Sequence, residues 1–354
     1  MEEAVTLKLY TVAQVKAWLI HNEDVVGLSE KLIDKTRAYA LVTNPYMKDD
    51  MAIISAIYVD GAVAAYTYVF PEIMEKPKNR LIYWNTTLYV NPKYEGRGYA
   101  YCVIAQLCEL YGADYFDLDA AAASVENLKY QGLTINYVPI YVLRNKSIKC
   151  TTLKGRAAYR VEKVRQILCS REKKLHREMM DCSCKFQYVN FIDDEVYAFI
   201  KGHSDNDVFL RKQETFNWIL QHPFMQETPI SLRVQKKCVF SSALPEFRLY
   251  GIVIRKQEKV VGFVILRLTD AEWAVKYIYY DKDAQKDVYL AIAEHLICKK
   301  RNSFITADKA LHDFINRYSL FPINTIYQKS FSYPKKFEYS ELNNIQNGEG
   351  DNVT

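Results

Sequence analysis

The sequence predicts an α/β protein with two domains in which strands and helices follow the same order. The chain has 354 residues, and because about 150 residues per domain is typical, two domains are expected. Tyr occurs 28 times and often alternates with Val and Ile, which favours strands over a helical bundle. The stretches Asn44-Pro45-Tyr46-Met47 and His222-Pro223-Phe224-Met225 each end a similar series of predicted elements, which indicates a repeat.

Composition excludes several classes of protein. With 49% apolar and 25% charged residues, the chain has an ordinary globular composition. No apolar run approaches the roughly 18 residues that span a bilayer, and Met1-Glu2-Glu3-Ala4 is acidic where a secretory signal is basic. We therefore expect no membrane insertion and a cytoplasmic location. The net charge of +5 fits a protein that binds a polyanionic coenzyme as well as one that binds nothing charged, and nucleic acid is not expected as a partner.

The cysteines and histidines do not form a metal-binding pattern. The chain has eight Cys and six scattered His. Its one tight pair is Cys182-Ser183-Cys184, and no Cys-x-x-Cys occurs. Structural zinc sites and disulfide frameworks depend on such spacings. The sequence therefore predicts no metal and no disulfide framework.

The first half begins with a strand and two helices, followed by three strands. The predicted elements are a strand at 7–10, helices at 12–19 and 28–42, and strands at 52–59, 62–69 and 80–90. Thr11 can cap the first helix, and Asn44-Pro45 ends the second. Asp60-Gly61 between two apolar runs predicts a tight hairpin.

One segment of the first half organises the rest of the chain. An apolar strand, Leu88-Tyr89-Val90, ends at Asn91-Pro92, two glycines follow at Gly96 and Gly98, and a helical pattern begins at Tyr99. Glycines let the backbone approach a bulky ligand, and the free N–H groups and dipole of a helix N-terminus attract anions. The segment therefore predicts a strand, a phosphate-binding loop and a helix.

This segment resembles the acetyl-CoA-binding loop of the GNAT acyltransferases, whose pattern is Arg or Gln, two residues, Gly, one residue, and Gly or Ala. The matching residues are Glu95-Gly96-Arg97-Gly98-Tyr99-Ala100, preceded by a hydrophobic strand and the Pro-x-Tyr that commonly leads into the family loop. Only the first position departs, because Glu95 stands where the family usually has Arg or Gln. Lys93 and Arg97 keep positive charge beside the backbone N–H groups, which make most of the hydrogen bonds to the phosphates.

The resemblance implies two GNAT-like domains, each a mixed, mostly antiparallel central sheet flanked by helices. It also implies acyl transfer, expected to be N-acetyl transfer, from acyl-CoA to the amine of a small molecule or amino sugar. The amine would attack the thioester directly, and acetyl-CoA or another acyl-CoA would be the cosubstrate. By the same resemblance, Leu88, Tyr89 and Val90 would pair with the pantetheine arm, and the loop from Glu95 to Ala100 would hold the pyrophosphate.

The candidates for proton transfer follow the loop helix. Asn127-Leu128-Lys129-Tyr130-Gln131-Gly132-Leu133 resembles in part a later element of the family, where a Tyr protonates the sulfur. This implies that Tyr130 is the general acid, with Tyr137 as second candidate, and that Asn127 contacts the coenzyme. The strand before the loop offers no general base for neutral pH. Asp117 or Asp119 at the end of the next strand, or a relayed water, could take that role, and Asp119 is the preferred residue.

A basic amphipathic helix is predicted from Gly155 to Met180, with nine Lys or Arg between Lys154 and Arg177. Such a helix could contact nucleic acid or a membrane surface, but its apolar stripe favours a connecting helix docked on the protein.

After this helix the order of elements starts again. The predicted elements are a strand at 187–192, helices at 195–200 and 209–220, strands at 248–255, 260–268 and 274–280, and a helix at 288–298. The second loop, from Asp283 to Tyr289, has no glycine, and its Asp residues would repel a pyrophosphate. We therefore expect a GNAT acyl-CoA-binding domain at 1–150, a connecting helix at 151–183, a degenerate GNAT-like domain at 184–340 and a flexible tail at 341–354.

Two other functions fit the same pattern. The first is an aminoacyltransferase of the peptidoglycan-bridge type, which also has two GNAT-like copies but takes its acyl group from a charged tRNA. The glycine loop argues against it, and the basic helix argues weakly for it. The second is a non-catalytic protein that binds a ligand between the two copies, which the missing base on the strand would allow.

Overall fold

The computed structural model describes residues 3–21, 28–29, 31–76, 79–145, 170–180, 182, 184–228, 242–318, 320–340 and 344–349. The first half contains β1 (Val5–Thr11), α1 (Val12–His21), α2 (Lys35–Val42), β2 (Ala52–Val59), β3 (Ala62–Lys76), β4 (Arg80–Val90), α3 (Tyr99–Tyr111), β5 (Tyr115–Leu118), α4 (Ala122–Tyr130) and β6 (Leu133–Arg144). The helix α5 (Ser170–Met180) follows. It covers the end of the predicted basic helix, whose residues 155–169 lie outside the described ranges.

The second half repeats this order, with three short strands added. It contains β7 (Lys185–Val189), α6 (Asp194–Gly202), β8 (Leu210–Arg211), α7 (Gln213–Gln221), β9 (Gln226–Glu227), β10 (Ala243–Leu244), β11 (Phe247–Lys256), β12 (Lys259–Thr269), β13 (Glu272–Tyr280), α8 (Gln285–Cys298), β14 (Ser303–Thr306), α9 (Lys309–Arg317) and β15 (Ile323–Pro334). Of the described helices, none is both long and apolar enough to span a membrane.

One continuous sheet joins the two halves, in the order β1-β2-β3-β4-β5-β15-β6-β14-β13-β12-β11-β7, and β8 pairs with β3. Its neighbouring strands are antiparallel except for the pairs β4–β5 and β13–β14, which confirms the mixed, mostly antiparallel sheet. The apolar residues 137–143 are predicted from the sequence to form a strand that closes the first sheet, and this prediction is wrong. β6 pairs with β14 and β15, while β15 pairs with β5, so each half is completed by the last strand of the other.

Local chemistry explains most element boundaries. Asp60 and Gly61 both have positive φ, as the tight hairpin turn predicted between β2 and β3 requires. The second helix is shorter than the predicted range 28–42, because the carboxylate of Asp34 accepts a hydrogen bond from Arg37 N at 2.9 Å and caps the helix at Lys35. The helix predicted at 209–220 also begins later, because residues 210–211 pair with β3.

The largest hydrophobic cluster contains residues of both halves. The ring centroids of Trp84 and Phe209 are 5.3 Å apart, and those of Phe116 and Phe337 are 5.1 Å apart. Aromatic pairs at these distances stabilise a core beyond the area they bury. The two halves therefore share one core.

A buried arginine connects three parts of the chain. Nε of Arg211 lies 3.3 Å from a carboxylate oxygen of Glu72 in the first half and 3.1 Å from one of Glu349 near the C-terminus. Burial raises the pKa of Glu349 to about 8, an effect that Arg211 partly offsets. Removing Arg211 would leave two carboxyl groups buried without their cation, so this cluster holds the C-terminal segment against both halves.

Candidate active site

Strands β4 and β5 run side by side for three residues and then separate. Their parallel pairing joins Tyr83–Asn85 to Tyr115–Asp117, whereas β4 continues to Val90. Among the described residues, no strand pairs with the β5 side of β4 beyond Asn85. Leu88 and Val90 pair only with β3 among the described strands, so the other edge of β4 can hydrogen-bond to a ligand here.

A bulge in β4 marks the point of separation. The register between β3 and β4 shifts so that Thr87 has no partner residue, and Thr87 has a φ of 61°. Such a backbone is strained for a β-branched residue. The side chain of buried Arg37 donates a hydrogen bond to Thr87 Oγ1. The bulge is therefore held in place and turns the end of β4 away from β5.

The predicted phosphate loop has the backbone that anion binding requires. Gly96 and Gly98 have φ values of 78° and 79°, and a β-carbon on either would meet no atom within 4 Å. Gly98 is the N-cap of α3. Within the part of the chain that the structure describes, none of the backbone N–H groups from Gly96 to Tyr101 has a hydrogen-bond acceptor. The loop therefore offers consecutive donors in front of open space.

Two cations stand beside this loop. The ammonium of Lys93 lies 5.0 Å from the ring centroid of Tyr94, and the guanidinium of Arg97 lies 5.3 Å from it. Arg97 also forms an ion pair with Glu3. Glu95 is exposed. Lys93 and Arg97 therefore place two positive charges beside the loop, next to the carboxylate of Glu95.

A buried carboxyl group lies where β4 and β5 separate. Asp117 Oδ2 accepts a hydrogen bond from Asn85 Nδ2 at 2.6 Å, and Asn85 Oδ1 accepts one from Thr67 Oγ1 at 2.7 Å. Asp117 Oδ1 is buried and has no partner among the described residues. Burial raises the pKa of Asp117 to about 6, which the bond from Asn85 partly opposes. Asp117 can therefore gain or lose a proton near neutral pH.

Asp119, the base preferred from the sequence, lies in a different environment. It follows β5 with a φ of 71°, its N–H donates to Ser330 O at 2.8 Å, and its carboxylate accepts a hydrogen bond from Tyr327. It lines a cavity between the two halves. Asp117 lies in β5 and Asp119 directly follows this strand, so the sequence alone could not distinguish the buried carboxyl from the one bound to a tyrosine.

The predicted acid Tyr130 lies near the start of α3. Its side chain is 80% exposed, and its ring packs edge-on against Tyr101, with centroids 5.3 Å apart. Because Tyr101 follows Gly98 by three residues, Tyr130 is close to the loop. Tyr137 lines a cleft of the second half instead. Asn127 lies in the last turn of α4, where its carbonyl accepts the N–H of Gln131.

The corresponding loop of the second half has no anion-binding backbone. The helix α8 begins directly at Gln285, whose φ is −48°. Side chains fill the region: the hydroxyls of Tyr280 and Tyr289 are 2.8 Å apart, and Tyr289 donates to Asp308 at 3.2 Å. Asp281 accepts from His203 at 2.8 Å. The sequence predicts the loss of the glycines and the carboxylates of Asp283 and Asp287, whereas the phenols of Tyr280 and Tyr289 are seen only in the structure.

The C-terminal segment from Asn344 to Glu349 lies in the second half where β13 and β14 separate. Gly348 N donates to Lys276 O at 2.9 Å, and Asn347 Nδ2 donates to Val275 O at 3.2 Å. A β-carbon on Gly348 would lie 2.2 Å from the ring of Tyr277, so the segment fits closely. The predicted flexible tail is therefore wrong for residues 344–349, which are buried or hydrogen-bonded; residues 341–343 and 350–354 lie outside the described ranges.

This segment lies along β13 at the place where β4 is free in the first half. The register between β12 and β13 shifts at Lys276, which lies between the paired residues Val275 and Tyr277, just as the register between β3 and β4 shifts at Thr87. Both bulges directly follow the short parallel pairing with the next strand. Amide groups of the chain itself therefore occupy the edge of β13 that matches the free edge of β4.

A cleft of about 1030 Å³ remains beside this segment in the second half. Its walls include Tyr137, Tyr280 and Asp207. Burial raises the pKa of Asp207 to about 6, and hydrogen bonds from Asn344 and Gln346 oppose the rise. Pro139 also lines the cleft, where β6 extends past the end of β14 and so has one neighbouring strand, in agreement with the edge position predicted for a proline.

Three possible metal ligands do come together, although the sequence predicts no metal. The sulfurs of Cys182 and Cys184 and a carboxylate oxygen of Asp287 lie within 4.8 Å of one another. Burial, and next the charge of Asp287, raises the pKa of Cys184 to about 12. Zinc binds thiolates, and its structural sites have four ligands. The group therefore does not fit zinc well, and the absence of a metal stays a prediction.

Comparisons with known proteins identify the fold. No family model matches the sequence, and no curated protein matches it. A GCN5-related N-acetyltransferase from Anabaena variabilis aligns with 93% of this chain and 72% of its own, at 11% identity and a TM-score of 0.50. A conserved protein of unknown function from Enterococcus faecalis, classed as a probable N-acyltransferase, aligns with 94% and 72%, at 9% identity and the same TM-score.

A third solved structure aligns over the full length. A candidate acetyltransferase from Pyrococcus horikoshii covers 100% of this chain and 96% of its own, at 10% identity and a TM-score of 0.50. At such low identities the similarity shows the fold and not the activity. The chain has the fold of the GNAT superfamily, which confirms the resemblance seen in the sequence.

Proposed function

We propose that this protein is an acyltransferase that moves an acyl group, in the first instance acetyl, from acyl-CoA to the amine of a small molecule or amino sugar. The observation that carries the proposal is the loop from Gly96 to Tyr101. It has two left-handed glycines and six consecutive backbone N–H groups without an acceptor in the described chain. It follows strand β4, whose edge beyond Asn85 pairs with no other described strand. A pyrophosphate fits such a loop, and an extended arm with amide groups fits such an edge. Asn127, Tyr99 and Ala100 remain proposed coenzyme contacts.

Contacts in the second half support the proposal that the edge of β4 beyond Asn85 binds the pantetheine arm. The C-terminal segment places a backbone N–H on Lys276 O and a side-chain amide on Val275 O. These positions match Thr87 and Thr86 by their relation to the bulge. Since amide donors satisfy β13 there, the amide groups of pantetheine suit the corresponding edge of β4, which continues from this bulge to Leu88 and Val90. The chain thus contains an internal analogue of the proposed ligand.

The proposed reaction requires two proton transfers. The amine nitrogen attacks the carbonyl carbon of the thioester that acyl-CoA supplies, and the C–S bond breaks. The carboxylate of Asp117 accepts a proton from the nitrogen, directly or through a water, and the hydroxyl of Tyr130 donates one to the departing thiolate. A carboxyl with a pKa of about 6 is ionised at neutral pH and can serve as this base. We propose Asp117 in place of Asp119 for this reason.

A simple experiment tests the proposal. The purified protein is denatured, and the released small molecules are analysed by ultraviolet absorbance and mass spectrometry. We expect CoA or an acyl-CoA to be retained, or to bind when it is added. A protein that binds charged tRNA and no CoA would support the aminoacyltransferase instead, and binding of neither would support a non-catalytic role. A screen of amines with acetyl-CoA, followed by thiol release, then identifies the acceptor.

One coenzyme should bind to each chain. The second half lacks the glycines, its loop carries Asp281, Asp283 and Asp287, and its strand edge is occupied by residues 346–348. Isothermal titration calorimetry with acetyl-CoA should therefore give a stoichiometry near one. A value near two would show that the C-terminal segment leaves the second cleft and would contradict the assignment to the first half.

Replacing Tyr130 with phenylalanine should lower kcat by about 10 to 1000 fold, because general acid catalysis contributes on this scale. The affinity for CoA should change little, since the ring and its contact with Tyr101 remain. Tyr137→Phe is the matched control, because Tyr137 is also exposed but lines the other cleft. If both variants keep full activity, water protonates the thiolate. If only Tyr137→Phe loses activity, the acid lies in the second half.

A further inference from the structure

A second cavity, of about 290 Å³, lies between the two halves on one face of the central sheet. Alternate residues of adjacent strands line it, including Val142 and Arg144 of β6, and Tyr327 and Lys329 of β15. Since successive residues of a strand point to opposite faces, these side chains share one face of the sheet. The cavity is separate from the phosphate loop and from the cleft of about 1030 Å³, although Asp119 and Asn347, described above, also line it.

Cations outnumber carboxylates among the side chains of this cavity. Four basic residues line it, Arg144, Arg267, Lys276 and Lys329, against the two acidic residues Asp119 and Glu272. Both carboxylates already have partners within the protein. Glu272 forms an ion pair with Arg267, and Asp119 accepts a hydrogen bond from Tyr327.

Two of the lysines are buried at this place. Lys276 is 3% exposed and Lys329 is 5% exposed. The ammonium of Lys329 has a single hydrogen bond among the described residues, to the carbonyl of Asn347 at a long 3.5 Å. Nε of Arg267 is buried, and no acceptor for it lies in the described part of the chain. Arg144 has no carboxylate within 4 Å among these residues either.

A buried ammonium with one weak hydrogen bond is unfavourable unless an anion compensates it. The donors that converge here are two ammonium groups and two guanidinium groups, which are the groups that proteins use to bind carboxylates and phosphates. The volume is near the lower end for small-molecule sites, which is roughly 300 Å³. A small organic anion would fit, whereas a nucleotide would not.

We propose that this cavity is a binding site for a small oxyanion, the carboxylate or phosphate group of a metabolite, held by Lys329 and Arg144. The site does not depend on the proposed acyltransferase activity. It is close to Asp117, because the charges of Asp119 and Lys329 both act on that carboxyl group. The charge of an anion bound here would therefore also act on the carboxyl group of Asp117, the proposed base.

The test is a thermal unfolding series with sodium phosphate and, in a second arm, sodium succinate, at constant ionic strength. At a hundredfold excess over Kd, a bound anion should raise Tm by about 3 °C for a chain of this size. Lys329→Met should lose most of this shift, whereas Lys185→Met, which removes an ammonium that is 81% exposed, should keep it. Comparing variants at equal salt removes the general stabilising effect of phosphate.

The phosphate loop is itself an anion site, so the series is repeated with Gly98→Val. In Gly98→Val the increase in Tm with the anion should persist, while CoA binding is lost. This result would show that the anion binds in the cavity and not in the loop of the proposed function. A shift with phosphate alone or succinate alone identifies the preferred group. If Lys329→Met does not fold, Arg144→Gln at the exposed mouth serves instead and should weaken binding about tenfold. An equal shift in the cavity variants and the parent, or no shift with either anion, overturns the proposal.

Discussion

Replacing Gly98 with valine should abolish measurable binding of acetyl-CoA. Gly98 has a φ of 79° and caps α3, and a β-branched residue avoids this backbone conformation. The loop would have to rearrange, and its N–H groups would turn away from the pyrophosphate. Each charge-assisted hydrogen bond that is lost costs about 1.5 to 3 kcal/mol, so the loss of two weakens binding by roughly two to four orders of magnitude. Calorimetry measures the effect.

Two control variants distinguish a loss of acetyl-CoA binding from a loss of stability. Gly112 also has a positive φ with open space around it and lies at the other end of α3, about 20 Å away for a helix of this length. Gly112→Val should therefore cost stability without loss of affinity. Val288→Gly in the second half should create no second site, because the aspartates and residues 346–348 remain. If Gly98→Val folds and binds acetyl-CoA as tightly as the parent, the loop is only a turn, and the acyltransferase proposal fails.

Replacing Asp117 with asparagine should lower kcat by about 10² to 10⁴ fold, since this is the typical contribution of a general base. The hydrogen bond from Asn85 can persist, because the new amide keeps one oxygen. In the parent protein, activity should rise with pH through about 6, where Asp117 loses its proton, and this rise should be absent from the variant. Asp119→Asn is the matched control and should lose less than tenfold. The opposite ranking would return the role of base to Asp119.

The same substitution should stabilise the protein at neutral pH. The pKa of Asp117 is raised from 3.8 to about 6 in the folded state, so the folded chain holds this proton over a range in which the unfolded chain has released it. The free energy of unfolding therefore falls as the pH rises from about 4 to about 6, by up to about 3 kcal/mol. The neutral amide that Asp117→Asn introduces avoids this cost. If Asp117→Asn is more stable but inactive, the carboxyl group of Asp117 has a functional role. If this carboxyl group were purely structural, the substitution would leave kcat unchanged.

Features that depend on neighbouring residues were predictable from the sequence. The hairpin at Asp60-Gly61, the loop with Gly96 and Gly98, and the start of α3 at Tyr99 all follow from local conformational preferences. The missing loop of the second half was predictable in the same way. Short-range signals failed for the start of α2, because the apolar pattern of residues 28–34 resembles a helix and only the capping bond of Asp34 shows where the helix begins.

Features that depend on distant residues were not predictable. Nothing in the composition of residues 344–349 indicates that they lie in a cleft beside β13, since their partners Val275, Lys276 and Ile278 are some seventy residues earlier. The choice between Asp117 and Asp119 depends on Asn85 and Tyr327, which other strands bring into place. Their spacing in the sequence alone favours neither aspartate as the general base.

By itself, the sequence determined the order of strands and helices in the two halves and the two glycines that give a left-handed loop to the first half only, because turn residues and side-chain periodicity act over a few positions. Only the tertiary structure decided that β6 and β15 are exchanged between the halves and that the C-terminal segment fills the second cleft. Each half has a strand of the right length and polarity at the end, and either strand could close either sheet. The choice is made by the shared core and by the buried Arg211, which pairs with the carboxylates of Glu72 in the first half and Glu349 in the C-terminal segment.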